Sequence, residues 1–82
     1  MKPITTIKHS PVQKDDYIIY NGDDEIIATA RKQQPHHENY KFGTYLVAMV
    51  GGAAHGKISY AQDWEQLNEK SVNIAKLHAQ TA

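Results

Sequence analysis

A chain of 82 residues predicts a single domain over 1–82 with a modest core, because so small a chain buries only about 60–65% of its unfolded surface. It has no Cys, which excludes a disulfide framework and a thiolate zinc site and fits a reducing, cytoplasmic setting. Nine basic and nine acidic residues cancel, which argues against a protein built mainly to neutralise phosphates, and no apolar run approaches the roughly 18 residues that would imply a membrane.

The opening stretch, MKPITTIKHSPVQK, lacks the apolar core of a signal peptide. Ile4, Thr5, Thr6 and Ile7 suit a short strand bracketed by Pro3 and Pro11. A tail that orders only on binding fits as well.

Asp16 to Lys32 carries the clearest hairpin signal. YIIY and EIIATAR flank NGDD, a turn containing Asn21-Gly22. A four-residue loop sets Ile19 opposite Ile26 and Ile18 opposite Ile27, pairing apolar side chains across the strands. That register puts Tyr17, Ile19, Ile26, Ala28 and Ala30 on one face. Ile18, Tyr20, Ile27, Thr29 and Arg31 take the other. One helix covers one face of a small sheet. The second face is then either an exposed binding surface or is covered by the N-terminal segment.

QQPHHEN, residues 33–39, reads as a loop broken by Pro35. His36, His37 and Glu38 invite a metal reading. Adjacent residues on an extended chain point apart, however, and no H-x-x-x-H spacing occurs, so solvated loop histidines and no metal are expected.

YKFGTYLVAMV alternates, with Tyr40, Phe42, Leu46, Ala48 and Val50 on one face. GGAAHG follows as a loop, and KISYA returns with Ile58 and Tyr60 inward. Leu46, Met49, Val50 and Ala53 also fit helical spacing. The tandem Gly51-Gly52, costing a helix roughly 1 kcal/mol each, favours strands. GGAAHGK matches a phosphate-binding loop up to its Lys57. The Ser or Thr that must follow is replaced by Ile58, so a hairpin loop is expected and no nucleotide cofactor. His55, Ser59 and Asp63 recur at intervals of four but make no nucleophile arrangement, and so small a domain offers little pocket to exclude water. The chain reads as a non-enzyme.

DWEQLNEKSVNIAKLHAQ, Asp63 to Gln80, is the helix. Asp63 suits the N-cap and Gln66 a capping box, and Ser59 with Gln62 offers the same pattern one turn earlier, so the start falls at either place. Trp64, Leu67, Ser71, Ile74, Ala75 and His78 form its apolar stripe. Acidic residues come early and basic ones late, as the helix dipole favours.

The expected fold is therefore α+β: an antiparallel sheet of four or five strands in two hairpins, with one C-terminal helix on a face. At the level of layout, YIIYNGDDEIIATAR and YKFGTYLVAMVGGAAHGKISYA followed by DWEQLNEKSVNIAKLH resembles some small phage-encoded anti-CRISPR and other anti-defence proteins. Such families often bind a host effector and block its nucleic-acid or partner site. The resemblance implies non-enzymatic binding to a host complex, and the neutral charge implies steric occlusion rather than acidic mimicry of nucleic acid. The expected binding residues are Ile18, Tyr20 and Ile27 on the free face. Arg31, Lys32, His36, His37, Tyr40 and Lys41 lie around its rim. The alternatives are a nucleic-acid-binding module using Arg31, Lys32, Tyr40 and Lys41, and a homodimer that buries the second face against itself.

Overall fold

The computed structural model describes residues 5–52 and 55–79. Ile4 of the expected first strand and the Pro3 before it, Ala53 and Ala54 of the glycine loop, and Gln80 at the expected helix end lie outside them. The elements run β1 (Thr6–His9), β2 (Asp16–Tyr20), β3 (Ile26–Lys32), a 3-10 turn (Glu38–Phe42), β4 (Tyr45–Met49), β5 (Ile58–Ala61) and α1 (Trp64–Ala79). The strands form one antiparallel sheet in the order β1-β2-β3-β4-β5, with β3 at the centre. This is the α+β architecture that the hydrophobic periods predict.

The β2–β3 turn is built by Asn21. Its Oδ1 accepts the N–H groups of Asp23 and Glu25 at 2.9 and 3.0 Å, and its Nδ2 donates to Glu25 Oε1 at 3.1 Å. Asp24 takes the left-handed conformation at φ 61°, which Asp tolerates better than most residues. The strands resume at Ile26, with a bulge in β3 opposite the Ile19–Tyr20 step of β2. Tyr20 pairs with Ile26 and Ile19 with Ala28, leaving Ile27 as the extra residue. The expected pairing of Ile19 with Ile26 and Ile18 with Ile27 is therefore replaced. A bulge turns two successive side chains toward the same side. Ile27 joins Ala28 in the core at 1% exposure, and Ile26 turns out to solvent at 45%.

The β3–β4 connection departs from the expected long strand. Tyr40 and Phe42 lie in the 3-10 turn, which ends at Gly43. A Cβ on Gly43 would stand 2.9 Å from the Ala61 carbonyl oxygen and 3.0 Å from Tyr60 Cβ, so only glycine lets the chain pass this close to β5. Gln33 is buried beside it, and its Nε2 donates to the Gly43 carbonyl at 2.8 Å.

α1 starts as its sequence dictates. Asp63 Oδ1 accepts the Gln66 N–H at 2.8 Å. Gln66 Oε1 reaches back to the N–H of Gln62 at 2.9 Å, one residue beyond the usual box partner. The buried stripe is Leu67, Ser71, Ile74 and Ala75. Ser71 donates to the Asn68 carbonyl at 2.7 Å, which uses its one hydrogen. The 2.9 Å contact with Thr5 is thus donated by Thr5, tying the helix to the start of β1.

The helix rests on a floor of small side chains, Ala28, Ala30 and Ala61, interleaved with Ile19, Ile27 and Val47. Trp64 stays 42% exposed, so it is not the core residue its place in the stripe suggests. It meets the Tyr17 and Tyr45 rings edge-on, at 5.3 and 6.1 Å between centroids, and closes one end of the core. No helix among the described residues is long and apolar enough to cross a membrane.

Candidate functional site

The register decides which side chains the helix cannot cover. Three rows cross the opposite face of the sheet. One runs Thr6, Tyr20, Ile26; the next Lys8, Ile18, Thr29, Ala48, Ile58; the third Asp16, Arg31, Leu46, Tyr60. Among the described residues the helix lies on the other side, and Phe42 of the 3-10 turn reaches these rows at one corner, against Tyr60. The N-terminal segment expected as a possible cover is instead the edge strand β1 beside β2. Ile26 and Ile58 are exposed on this face, each keeping about half of its surface in solvent, and Ile18, Tyr20, Leu46, Ala48 and Tyr60 are more deeply shielded by their neighbours.

At its middle lies a shallow depression of about 190 Å³, lined by Thr29 and Ala48 together with Leu46, Arg31 and Asp16. Two aromatic shoulders flank the sheet. Lys8 Nζ sits 5.5 Å above the Tyr20 ring at one corner. At the other, Phe42 lies 5.3 Å from Tyr60, with Lys41 Nζ 5.2 Å above the Phe42 ring. The charge at the centre is internally balanced. Arg31 donates to both carboxylate oxygens of Asp16, Nε at 2.9 Å and Nη2 at 3.2 Å. Those bonds and that charge raise the Arg31 pKa above its already high ordinary value, so the guanidinium stays charged throughout the accessible pH range.

The predicted binding residues divide accordingly. Ile18, Tyr20 and Arg31 do lie on the open face. Ile27 does not, because the bulge sends it into the core, and Ile26 takes its place. Lys32 pairs with Tyr45 on the helix side of the sheet, at the end of β3. His36 and His37 meet edge-on in the β3–β4 connection, with 4.6 Å between ring centroids, and His37 Nδ1 accepts the Gln34 N–H. Tyr40 is exposed in the 3-10 turn, and Lys41 reaches the face only through Phe42. No group of three or more potential metal ligands occurs among the described residues.

Ile58 and Tyr60, expected inward, point outward. The helix approaches β5 over Ser59 and Ala61, whose smallness was the signal that those two positions face it. The glycine loop joins β4 to β5, a strand and not a helix. The Gly51 N–H is occupied by His55 Nδ1 at 2.8 Å, so it is not turned toward a phosphate.

Neither a family model, nor a curated protein, nor a solved structure matches this chain.

Proposed function

We propose that this chain is a non-enzymatic protein-binding module, that the open sheet face is its contact surface, and that it works by steric occlusion of a host complex. The observation that carries the reading is the uncovered face. It presents Ile18, Tyr20, Ile26, Leu46, Ile58 and Tyr60 around a depression wide enough for one partner side chain. A contiguous apolar surface on a small domain costs solubility unless something covers it. Tyr and Arg beside a pocket are the usual anchors of protein interfaces. The Arg31–Asp16 pair favours protein over nucleic acid, because it leaves the centre of the face without net positive charge, and clustered cations are what bind phosphates. The part of the proposal that names a host complex rests on the resemblance in layout to anti-defence proteins.

Affinity capture from the source cell, with wild type and with Tyr20→Ala/Ile26→Asp, tests it. Wild type should retain a protein after nuclease treatment and at about 0.5 M salt, where exposed charge contacts are screened. The folded variant should lose it. Retention of the same protein by the variant removes the open face from the account. Recovery of nucleic acid alone, released by salt, favours the nucleic-acid module instead.

A further inference from the structure

The sheet ends at β5, whose sheet neighbour is β4 alone. Backbone groups along an antiparallel strand point alternately to one side and the other. Met49 N–H donates to the Lys57 carbonyl, and Val47 stands opposite Ser59. The N–H and C=O groups of Ile58 and Tyr60 therefore point away from β4, along the open edge. Beside that edge a cleft of about 200 Å³ separates β5 from α1. Met49, Ile74 and Leu77 give it apolar walls, and Ser59, Lys70 and Asn73 give it polar groups. Lys70 Nζ donates to Ser59 Oγ at 3.1 Å across it. No described carboxylate comes within ion-pair distance of Lys70.

We propose that this edge takes up an extended segment of another protein as a sixth strand, with a glutamate opposite Ser59. Strand addition satisfies the outward backbone groups of Ile58 and Tyr60 and takes its specificity from pockets for alternate side chains. A residue paired with Ser59 shares its side of the sheet, so its side chain enters the cleft. A glutamate's aliphatic stem matches Met49, Ile74 and Leu77, and its carboxylate supplies the anion that Lys70 lacks. The residues on either side of it point to the other side and extend the apolar face beyond Ile58 and Tyr60. A second copy of this chain fits poorly. Two-fold pairing of β5 with β5 would bring two Lys70 cations into one groove, and β1 offers Thr6, Ile7, Lys8 and His9 without an acid. The edge and the open face share Ile58 and Tyr60, but Lys70 belongs to the edge alone and Ile26 to the face alone, so variants at those two positions separate the two proposals.

The probe is a library of displayed random peptides about eight residues long, within the ordinary range of strand lengths, selected against the whole chain. Enriched sequences should be rich in β-branched residues and carry a glutamate at a constant place. Lys70→Glu should weaken the best peptide at least about tenfold, and replacing the peptide's glutamate by lysine should restore binding to that variant. Tyr60→Pro, which removes an outward donor and no bond to β4, should weaken it similarly. Ile26→Asp on the open face should leave it unchanged. Amide shifts should concentrate on β5 and on Lys70 to Leu77. Circular dichroism checks each fold, and if Tyr60→Pro does not fold the charge swap at Lys70 decides. No enrichment, enrichment without glutamate, equal binding to Lys70→Glu, or shifts confined to the open face would each overturn the proposal.

Discussion

Ile26 and Ile27 are adjacent, identical in chemistry and opposite in role. The bulge places Ile27 among Ile19, Ala28 and Leu67 in the core and leaves Ile26 on the surface. Truncating each to Ala should separate them cleanly. Ile27→Ala removes packed methylenes and leaves a cavity, so it should cost about 2–5 kcal/mol in a denaturant melt. Ile26→Ala should stay within about 0.5 kcal/mol, as surface changes usually do. Equal losses would mean that the bulge is misplaced. Gly43 is the second position where one atom decides. Gly43→Ala would press a Cβ against the Ala61 and Tyr60 backbone region, which cannot swing aside as a side-chain tip can. The expected destabilisation is about 1–3 kcal/mol, that of overpacking. At this scale the sequence was a poor guide. Strict alternation assigns Ile27 outward, and the extra residue that reverses it has no marker in NGDDEII. Ile18, Tyr20 and Arg31 sit before or beyond the irregularity, in a register that alternation does capture, and all three were legible.

Elements were legible where a period ran long enough to be unambiguous. α1 reads from its stripe and from Asp63, and it begins at Trp64 as that cap requires. Asp63→Ala leaves the Gln66 N–H without its partner and should cost about 1 kcal/mol, read as a lower thermal midpoint with unchanged helix content at low temperature. Asp63→Asn should keep most of the stability, because its side-chain oxygen can accept the same bond. Failure of Asn to do better than Ala would mean that the cap bond contributes little. The 3-10 turn was not legible as such. Tyr40 and Phe42 alternate as strand residues do, and the close approach that forces Gly43 is a tertiary fact. The inward side of β5 was misread for a related reason. Bulk suggested that Ile58 and Tyr60 face the core, but a helix lying close to a sheet needs small residues beneath it, and Ser59 and Ala61 supply them. Large residues displaced from the helix side are what make the opposite face apolar.

At the scale of the molecule, one helix cannot cover two faces of a five-stranded sheet, and that deficit supports reading the open face as a contact surface. The strand order adds a gradient of protection. β3 is paired on both sides and carries Ile27, Ala28 and Ala30 into the core, while β1 and β5 each have one neighbour. Local opening should therefore require least free energy at the edges and most at the centre. Hydrogen exchange followed by NMR on the free chain should show Ala28 and Ala30, bonded toward β2, and Thr29, bonded toward β4, among the slowest amides. Within β5 the pattern should alternate. Ser59, opposite Val47 in a bonded pair, should be protected. Ile58 and Tyr60, turned toward the open edge, should exchange near the rate of an unprotected amide. Protection of Ile58 and Tyr60 equal to that of Ser59 in dilute protein would mean that the edge is already paired or the register shifted, and β5 could not then receive an added strand. A sheet protected by alternation at β5 and by depth at β3 would leave the free chain with an unpaired edge beside Lys70, where an acidic strand has both a backbone and a charge to meet.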